Sequence, residues 1–187
     1  MPLTAAEEIE LLMLLEAEAR ELFPDTGPFR RELYPKHLAF FRAGHDYRER
    51  LMISANRCGK TLAACYEVGC HLTGIYPPWW DGKRFDHAIR AWVAGTHSKK
   101  VKESVQEILV GPVGAWGSGL LPRETIKRIT RASGSVPDLV DTAWVRHVSG
   151  GWSTVTLKYY EQGREAFEAT QCDVVFLDEE PPLTIHA

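Results

Sequence analysis

The sequence predicts an α/β fold in which helices flank a mostly parallel β-sheet. Two observations lead to this prediction. Short apolar runs of strand length alternate along the chain with longer segments of helical periodicity. Several of these runs are apolar throughout rather than alternating with polar residues, which is typical of buried strands in a parallel sheet.

The composition is that of a globular domain and gives no sign of a membrane or nucleic-acid partner. The 187 residues are 44% apolar and 25% charged, with a net charge of −3. No run approaches the roughly 20 apolar residues of a membrane span, and the N-terminus, interrupted by glutamates, lacks a signal-peptide pattern. The four cysteines lack the short spacing of zinc or redox motifs, so we expect reduced thiols in a cytoplasmic protein.

The chain divides into an N-terminal helical accessory segment, residues 1–33, and a domain over residues 34–187. Thr4–Leu22 has leucines at helical spacing and opens with a capping box formed by Thr4 and Glu7. Tyr34–Gly44 is predicted to form a short helix that Pro35 starts and a glycine stops.

Strand and helix signals alternate through the rest of the domain. The predicted strands are Arg50–Ala55, Ile89–Gly95 and Val174–Leu177, and Trp144–Val148 with Thr154–Tyr160 is predicted to form a β-hairpin. The predicted helices are Gly59–Gly74, His97–Leu109 and a short one over Leu121–Arg131. In this order a strand precedes, and a helix follows, the first functional motif.

That motif has the pattern of a phosphate-binding loop. Its residues are Ser54, Ala55, Asn56, Arg57, Cys58, Gly59, Lys60 and Thr61. Gly59 lets consecutive backbone N–H groups point at phosphate oxygens, and the positive end of the following helix lies at the same place. Lys60 is predicted to reach the β- and γ-phosphates, and Thr61 to offer its hydroxyl to Mg²⁺. Ser54 replaces the first glycine of the usual pattern, which is tolerated if φ stays negative there.

The last predicted strand ends in three carboxylates. Val174–Leu177 is followed by Asp178, Glu179 and Glu180, and the carboxyl ends of parallel strands are where α/β proteins bind ligands. Asp178 is predicted to hold Mg²⁺, and Glu179 to polarise the attacking water as general base. Glu180 either shares that role or faces solvent. A strand that simply ends in an acidic loop is the alternative, but the phosphate loop upstream favours the functional interpretation.

Further residues have both a functional and a structural interpretation. Arg57 either stabilises charge on the γ-phosphate in the transition state, or faces solvent or pairs with the acidic strand end. Tyr34 and His37 either contact the adenine ring or pack within the first helix of the domain. Trp79 and Trp80 are predicted to anchor packing, because base stacking normally needs a basic groove around the rings.

Two groups of basic residues either contact a DNA phosphate backbone or form solvated faces. The first falls on one face of the predicted Leu121–Arg131 helix, and the second lies in the predicted His97–Leu109 helix. They consist of Arg123, Lys127 and Arg131, and of Lys99, Lys100 and Lys102.

In several motifs that follow one another over residues 34–182, the sequence resembles the large terminase subunits of tailed bacteriophages. These motifs are Tyr34-Pro35-Lys36, Arg50-Leu51, Asn56-Arg57-Cys58-Gly59-Lys60-Thr61, Tyr76-Pro77-Pro78-Trp79-Trp80, Tyr160-Glu161-Gln162-Gly163-Arg164 and Leu177-Asp178-Glu179-Glu180-Pro181-Pro182. The resemblance implies a P-loop ATPase, of the additional-strand, conserved-glutamate type, that packages viral DNA into a procapsid. It also implies double-stranded viral DNA, a portal protein and a small terminase subunit as partners, a homo-oligomeric ring when full length, and action in the cytoplasm of the infected host.

Carried over by position, the resemblance implies ATP and Mg²⁺ as ligands and a role for each matching residue. Lys60 and Thr61 would bind phosphate and Mg²⁺, Arg57 would be the loop arginine, Asp178 would hold Mg²⁺ and Glu179 would be catalytic. His37 stands where relatives often carry a glutamine that reads adenine.

The chain departs from this family after the acidic strand end. Family members continue with a coupling motif, further strands and an RNase H-like nuclease domain, whereas here Pro182 is followed by five residues. We therefore expect an ATPase domain that is incomplete at its C-terminus and does not cleave DNA. The alternatives are a truncated remnant that binds nucleotide weakly or not at all, another P-loop motor of the helicase-like kind and, less favoured, a small-molecule kinase.

Overall fold

The structure, a computed structural model, describes residues 4, 7, 11, 22–134, 136–168 and 171–186. In this part of the chain the strands are β1 (Arg90–Gly95), β2 (Ile126–Arg131), β3 (Val140–Arg146), β4 (Trp152–Tyr159) and β5 (Val174–Leu177). The helices are α1 (Pro35–Asp46), α2 (Lys60–Thr73), α3, and α4 (Leu183–His186). Helix α3 comprises Ser98–Val101, a π-helical stretch over Lys102–Gln106, and Glu107–Leu109. Turns of 3₁₀-helix lie at Arg31–Leu33, Arg123–Thr125, Tyr160–Gln162 and Arg164–Phe167.

The α/β class is confirmed, but the prediction of a mostly parallel sheet is wrong. The five strands form one mixed sheet in the order β2-β3-β4-β1-β5. Strand β1 pairs in parallel with β4 and β5, whereas β3 pairs antiparallel with β2 and β4. The reason is the length of the connections: residues 132–139 and 147–151 are too short for the crossover that parallel neighbours require.

Local signals in the sequence account for the first two helices. Pro35 occupies the first turn of α1, where its missing N–H costs no hydrogen bond. Helix α2 ends at Gly74, which has a φ of 74° and donates its N–H to Cys70 O at 2.8 Å. A Cβ at position 74 would lie 2.4 Å from Nε2 of His147. Both the left-handed backbone and the close approach of His147 therefore require glycine there.

Helices α2 and α3 pack on one face of the sheet and form the main hydrophobic core. Each large apolar side chain buried there stabilises the fold by about 1.5–3 kcal/mol. This layer holds α2 against β1 and β5, so the beginning of α2 lies at the carboxyl end of β5. The buried members include Cys65, Val68 and Leu72 of α2, Val101, Val105 and Leu109 of α3, and Ala91, Val93, Val145, Val155 and Leu157 of the strands.

A second, aromatic cluster joins α1 to α2. Phe41 of α1 is stacked on Trp80, with ring centroids 4.9 Å apart, and Tyr66 of α2 and Phe23 are buried against them. The prediction that Trp80 anchors packing is therefore confirmed, and its partner Trp79 is packed against the same cluster. This cluster fixes α1 beside the N-terminal half of α2.

The predicted strand Arg50–Ala55 is wrong. Residues 51–55 form no strand in the described structure, and the side chains of Leu51 and Ile53 are 80% and 85% exposed. An apolar run becomes a strand only when a neighbouring strand takes up its backbone hydrogen bonds. No described strand pairs with this segment, since the sheet ends at β5.

The predicted helix Leu121–Arg131 is also wrong. A single 3₁₀ turn over Arg123–Thr125 leads directly into β2, which pairs with β3 through two register shifts. The β-branched residues Ile126, Ile129 and Thr130 favour a strand, and this preference outweighs the helix-like spacing of the basic residues. Arg123, Lys127 and Arg131 therefore do not share a helix face.

The other predicted elements are confirmed, with shifts at their ends. The helices starting near residues 35, 60 and 98, the hairpin of β3 and β4, and strands β1 and β5 are present. Strand β5 is only half-buried, however, because Val175 and Leu177 point away from the core and are exposed. Thr4 and Glu7 form the predicted capping box through reciprocal hydrogen bonds, while most of the helix predicted over residues 4–22 lies outside the described residues.

Two further findings concern the whole of the described structure. All four cysteines are free thiols. Among the described residues, no helix has the length and apolarity that crossing a bilayer requires.

Candidate nucleotide-binding site

The predicted phosphate loop lies between the exposed segment 51–55 and the start of α2. Its backbone turns sharply through two positions of positive φ, Arg57 at 60° and Gly59 at 84°. Gly59 directly precedes the first residue of α2, so the helix begins at Lys60. The free N–H groups and the positive end of the helix dipole therefore face the loop, as binding of an anion requires.

Hydrogen bonds within the loop hold it closed. Nζ of Lys60 donates to the carbonyl oxygens of Ser54 and Ala55, each at 2.9 Å. Oγ of Ser54 lies 2.7 Å from Sγ of Cys58. This contact, together with the nearby Lys60 ammonium, lowers the pKa of the Cys58 thiol. Asn56 and Arg57, at the tip, are exposed to solvent.

Helix α1 supports the loop from one side. Nε2 of His37 lies 3.0 Å from the carbonyl oxygen of Cys58, to which it donates a hydrogen bond. Tyr34 packs edge-on against Phe23 at 5.4 Å and against His37 at 5.6 Å. The two residues predicted to contact adenine thus lie beside the loop, with His37 bound to its backbone and Tyr34 packed in the aromatic cluster.

The two predicted motifs meet through one side-chain contact. Oγ1 of Thr61 donates to Oδ1 of Asp178 at 3.0 Å, although 117 residues separate them in the sequence. Burial raises the pKa of the Asp178 carboxyl above its ordinary value, while the bond from Thr61 opposes that change. The hydroxyl at the start of α2 and the carboxylate at the end of β5 therefore form one polar pair.

The acidic end of β5 has an unusual backbone. The N–H of Asp178 still donates to Ala94 O of β1 at 2.7 Å, as the last bond of the ladder. The next residue, Glu179, has a φ of 68°. For a residue with a side chain this left-handed conformation costs about 1 kcal/mol, so surrounding contacts must hold it. The two neighbouring carboxylates have different partners, because Asp178 contacts Thr61 of α2 and Glu179 contacts Lys100 of α3.

One buried side chain contacts this turn. The hydroxyl of Tyr160, which follows β4, donates to the carbonyl oxygen of Glu179 at 2.9 Å and lies 3.4 Å from that of Asp178. Burial and the two nearby carboxylates raise the pKa of Tyr160 to about 12. The phenol therefore stays protonated near neutral pH and remains a hydrogen-bond donor.

The carboxylate of Glu179 is paired with a basic residue. Its Oε1 contacts Nζ of Lys100 in α3, and both side chains are partly exposed. Glu180 is exposed, which agrees with the alternative that it faces solvent. The two candidates for activating water thus differ, because Glu179 is held by described contacts of its backbone and its side chain.

Oxygen ligands at the meeting point are of the kind that Mg²⁺ prefers. The hydroxyl of Thr61 and the carboxylate of Asp178 are hard donors at hydrogen-bonding distance from each other. In the described residues no group of three or more His, Cys, Asp or Glu side chains could enclose a metal ion. A Mg²⁺ ion here would therefore take its other ligands from water and phosphate oxygens, as this ion commonly does.

The basic groups predicted from the sequence are tied to their own chain. Lys99 pairs with Glu103 at 3.7 Å, and Nζ of Lys102 donates to Pro137 O at 2.6 Å. In the other group, Arg131 pairs with Asp138 at 3.0 Å and Lys127 lies over the ring of Trp152 at 4.5 Å. These four residues therefore contact their own chain, whereas Lys100 of the second group contacts Glu179 at the candidate site.

A buried ion pair at the entrance to the loop was not predicted from the sequence. Nη2 of Arg50 lies 3.0 Å from Oε1 of Glu67 in α2, and Nη1 donates to Phe40 O in α1 at 2.7 Å. The guanidinium also covers the ring of Phe40 at 4.5 Å. Arg50 therefore ties the chain to both helices four residues before the loop. A glutamate within the apolar stretch of α2 was the signal for a buried partner.

Comparisons with known proteins found similarity over most of the chain. Residues 51–183 match the family of terminase large subunits described as T4likevirus-type, N-terminal. The protein of Salmonella phage P22 named terminase, large subunit, is 35% identical over an aligned length of 208, and the alignment covers 98% of this chain and 40% of the relative. The chain thus spans 40% of the length of that relative. No solved structure matches this chain.

Proposed function

Because the chain belongs to the terminase large subunits of bacteriophages, we propose that it binds and hydrolyses ATP to drive the packaging of viral DNA. The observation that supports this best is the contact between Thr61 and Asp178 at 3.0 Å. It joins a loop suited to phosphate with a carboxylate suited to a divalent cation. Within a P-loop NTPase fold these two elements form one nucleotide site.

In the proposed site each loop residue has a physical task. The backbone of residues 54–59 would surround the phosphates, and Lys60 would exchange the carbonyl oxygens of Ser54 and Ala55 for β- and γ-phosphate oxygens. This exchange replaces neutral acceptors by charged ones, so it strengthens the hydrogen bonds of the ammonium group. Arg57, exposed at the loop tip, would reach the γ-phosphate.

Thr61 and Asp178 would hold Mg²⁺, which neutralises charge on the phosphates when bound. Glu179 would accept a proton from the water that attacks the γ-phosphorus, while the bond to the β-phosphate oxygen breaks and releases ADP and phosphate. Since its carboxylate is paired with Lys100, it must leave that partner before it can receive the proton. Adenine would lie beside Tyr34 and His37 of α1.

The proposal extends to the partners implied by the family. Double-stranded viral DNA would be the translocated substrate, and a portal protein, a small terminase subunit and further copies in a ring would be its partners in the host cytoplasm. The role of double-stranded DNA as substrate is tested by measuring whether it stimulates ATP hydrolysis. Turnover that DNA leaves unchanged would contradict coupling in this chain.

The first experiment is titration of a fluorescent ATP analogue with Mg²⁺ against the purified chain. We expect saturable binding that Lys60→Ala weakens more than about tenfold, because hydrogen bonds to charged groups contribute about 1.5–3 kcal/mol each. The matched control is Lys127→Ala, which removes the same charge from β2 at the opposite edge of the sheet. Equal affinities of the two variants, or no binding by the folded wild-type chain, would contradict the nucleotide site.

A second experiment assigns the general base. Phosphate release should fall by about 10²–10⁴ in Glu179→Gln, since a positioned general base contributes this much. Glu180→Gln, the neighbouring control, should retain wild-type turnover. The opposite result would transfer the role to Glu180.

Nucleotide binding without hydrolysis is a second candidate function. The pairing of Glu179 with Lys100 favours it, because a carboxylate held by an ammonium group is not free to position the attacking water. In that case the ATP analogue would bind, Lys60→Ala would abolish binding, and wild-type chain and Glu179→Gln would release phosphate equally slowly.

A further inference from the structure

The Tyr160-Glu161-Gln162-Gly163-Arg164 motif has no role in the proposed mechanism, yet its first residue contacts the candidate general base. Tyr160 is 6% exposed and its hydroxyl donates to Glu179 O at 2.9 Å. We infer that Tyr160 is a positioning residue, whose hydrogen bond holds the turn at Glu179 and so directs the carboxylate that activates water. The inference rests on the proposed ATP hydrolysis.

The sheet order explains why a long side chain is needed. Tyr160 follows β4, while Glu179 follows β5, and β1 lies between these strands. Two strand spacings amount to about 10 Å, so the contact has to pass across the carboxyl end of β1. Tyrosine combines that reach with a terminal donor. The adjacent ring of Phe167, at a centroid distance of 6.2 Å, limits where the phenol can lie.

The turn at Glu179 depends on such a contact. The φ of 68° is unfavourable for glutamate, and β5 offers no further ladder bond from β1 beyond the N–H of Asp178. The side-chain contact with Lys100 is exposed and therefore weak. Among the described contacts, the hydroxyl of Tyr160 is the buried one that fixes the Glu179 carbonyl, and with it the direction of the side chain.

Tyr160→Phe removes this hydroxyl and keeps the ring. In the ATPase assay we expect kcat to fall about tenfold or more, since small displacements of a reacting group have effects of this size. KM for ATP should stay within about twofold, because the variant leaves the loop and Lys60 unchanged. Nucleotide bound per chain should equal that of the wild type, which separates misplacement of the carboxylate from loss of folded protein.

Tyr47→Phe is the control for the loss of one hydroxyl. Tyr47 follows α1 and is 65% exposed, so this variant loses the same group away from the turn at Glu179. We expect its kcat and KM to match the wild type. A Tyr160→Phe variant whose kcat equals that of an active wild type would overturn the inference.

Hydrogen exchange tests the contact independently of hydrolysis. The Asp178 amide bonds Ala94 O at 2.7 Å and the Asp173 amide, just before β5, bonds Arg90 O at 2.8 Å. In Tyr160→Phe the Asp178 amide should exchange about 2- to 10-fold faster, as expected from the loss of one hydrogen bond, with Asp173 unchanged. Equal rates at Asp178 would overturn the inference. A wild type that hydrolyses no ATP would contradict the proposed function, while exchange would still decide whether Tyr160 holds the turn.

Discussion

Replacing Arg50 with methionine should destabilise the fold, because it leaves a buried carboxylate without its cation. Glu67 is 4% exposed, and its Oε1 lies 3.0 Å from Nη2 of Arg50. Removing one partner of a buried ion pair costs about 3–5 kcal/mol. We expect the lower end, about 3 kcal/mol, because the Arg50 side chain is 20% exposed. In a domain of this size that loss lowers Tm by about 6–12 °C.

A double-mutant cycle measures the pair itself. Arg50→Met and Glu67→Met should each destabilise the chain, and the double variant should lose at least about 1 kcal/mol less than the sum of the two. The reason is that the double variant buries neither charge. His71 does not replace the arginine well, since its Nε2 is 3.5 Å from the same carboxylate oxygen. Urea unfolding followed by circular dichroism gives all four free energies.

Arg48→Met is the control for the loss of one positive charge. Arg48 is exposed, so its replacement should change the free energy of unfolding by no more than about 0.5 kcal/mol. An Arg50→Met variant as stable as Arg48→Met, or strictly additive effects in the cycle, would refute the reasoning. The entrance to the loop would then not be held by this pair.

Three further predictions concern other sites. Gly74→Ala should cost at least about 2 kcal/mol in urea unfolding, because the new Cβ would meet His147 and need a left-handed backbone; a neutral result would contradict the close contact. Burial lowers the pKa of His147 below its ordinary value of 6.5. As the pH drops through 6.5, the unfolded chain therefore binds a proton that the folded chain does not, and the free energy of unfolding falls. His147→Asn, which keeps an acceptor for the N–H of Ser149, should flatten this fall between about pH 8 and 5.5; an unchanged slope would assign it to other groups. Lys100→Met should raise basal phosphate release by at most about fivefold, since an exposed pair with Glu179 is worth no more than about 1 kcal/mol; a lower rate would mean that Lys100 assists the carboxylate.

The sequence predicts best those elements whose ends depend on neighbouring residues. Pro35 marks the start of α1, and Gly59 and Gly74 flank α2, because proline and glycine restrict or free the backbone where they stand. The class of fold follows from the alternation of such elements. These signals lie within a few residues of the end of a helix, so they predict that end without reference to the elements that pack against the helix.

Elements that depend on distant partners were predicted less well. Residues 50–55 have the apolarity of a strand, but no described strand receives their hydrogen bonds. Residues 126–131 have basic side chains at helical spacing, yet β3 is close enough along the chain to pair with them. In both cases pairing, which a local pattern does not encode, decides the outcome.

The candidate site likewise contains residues that local patterns predict and a contact that depends on distant parts of the chain. Residue types and spacing predict Lys60, Thr61 and Asp178 as candidates, because phosphate and Mg²⁺ demand particular groups, and the structure brings Thr61 and Asp178 into contact. Sequence spacing does not reveal that Tyr160 reaches Glu179, since the contact depends on the order of β4, β1 and β5 in the sheet. Predicting this contact requires the strand order of the folded sheet.

The position of β5 at the edge of the sheet affects how tightly the site can hold a ligand. Among the described strands β5 pairs with β1 alone, and strands with a single partner open locally at a lower free energy than central ones. Each opening separates Asp178 from Thr61. For the proposed site, the apparent affinity for Mg²⁺ and nucleotide would therefore be the intrinsic affinity multiplied by the fraction of molecules in which β5 is docked.

This equilibrium works in both directions. A segment or protein that pairs with the edge of β5 left open among the described strands would increase the docked fraction, and thereby the affinity of the proposed site for nucleotide. Thermodynamic reciprocity requires that bound nucleotide raise the affinity for that pairing by the same factor. In the proposed site the edge strand would thus link events outside the site to occupancy within it, although nothing at the edge would need to touch the nucleotide.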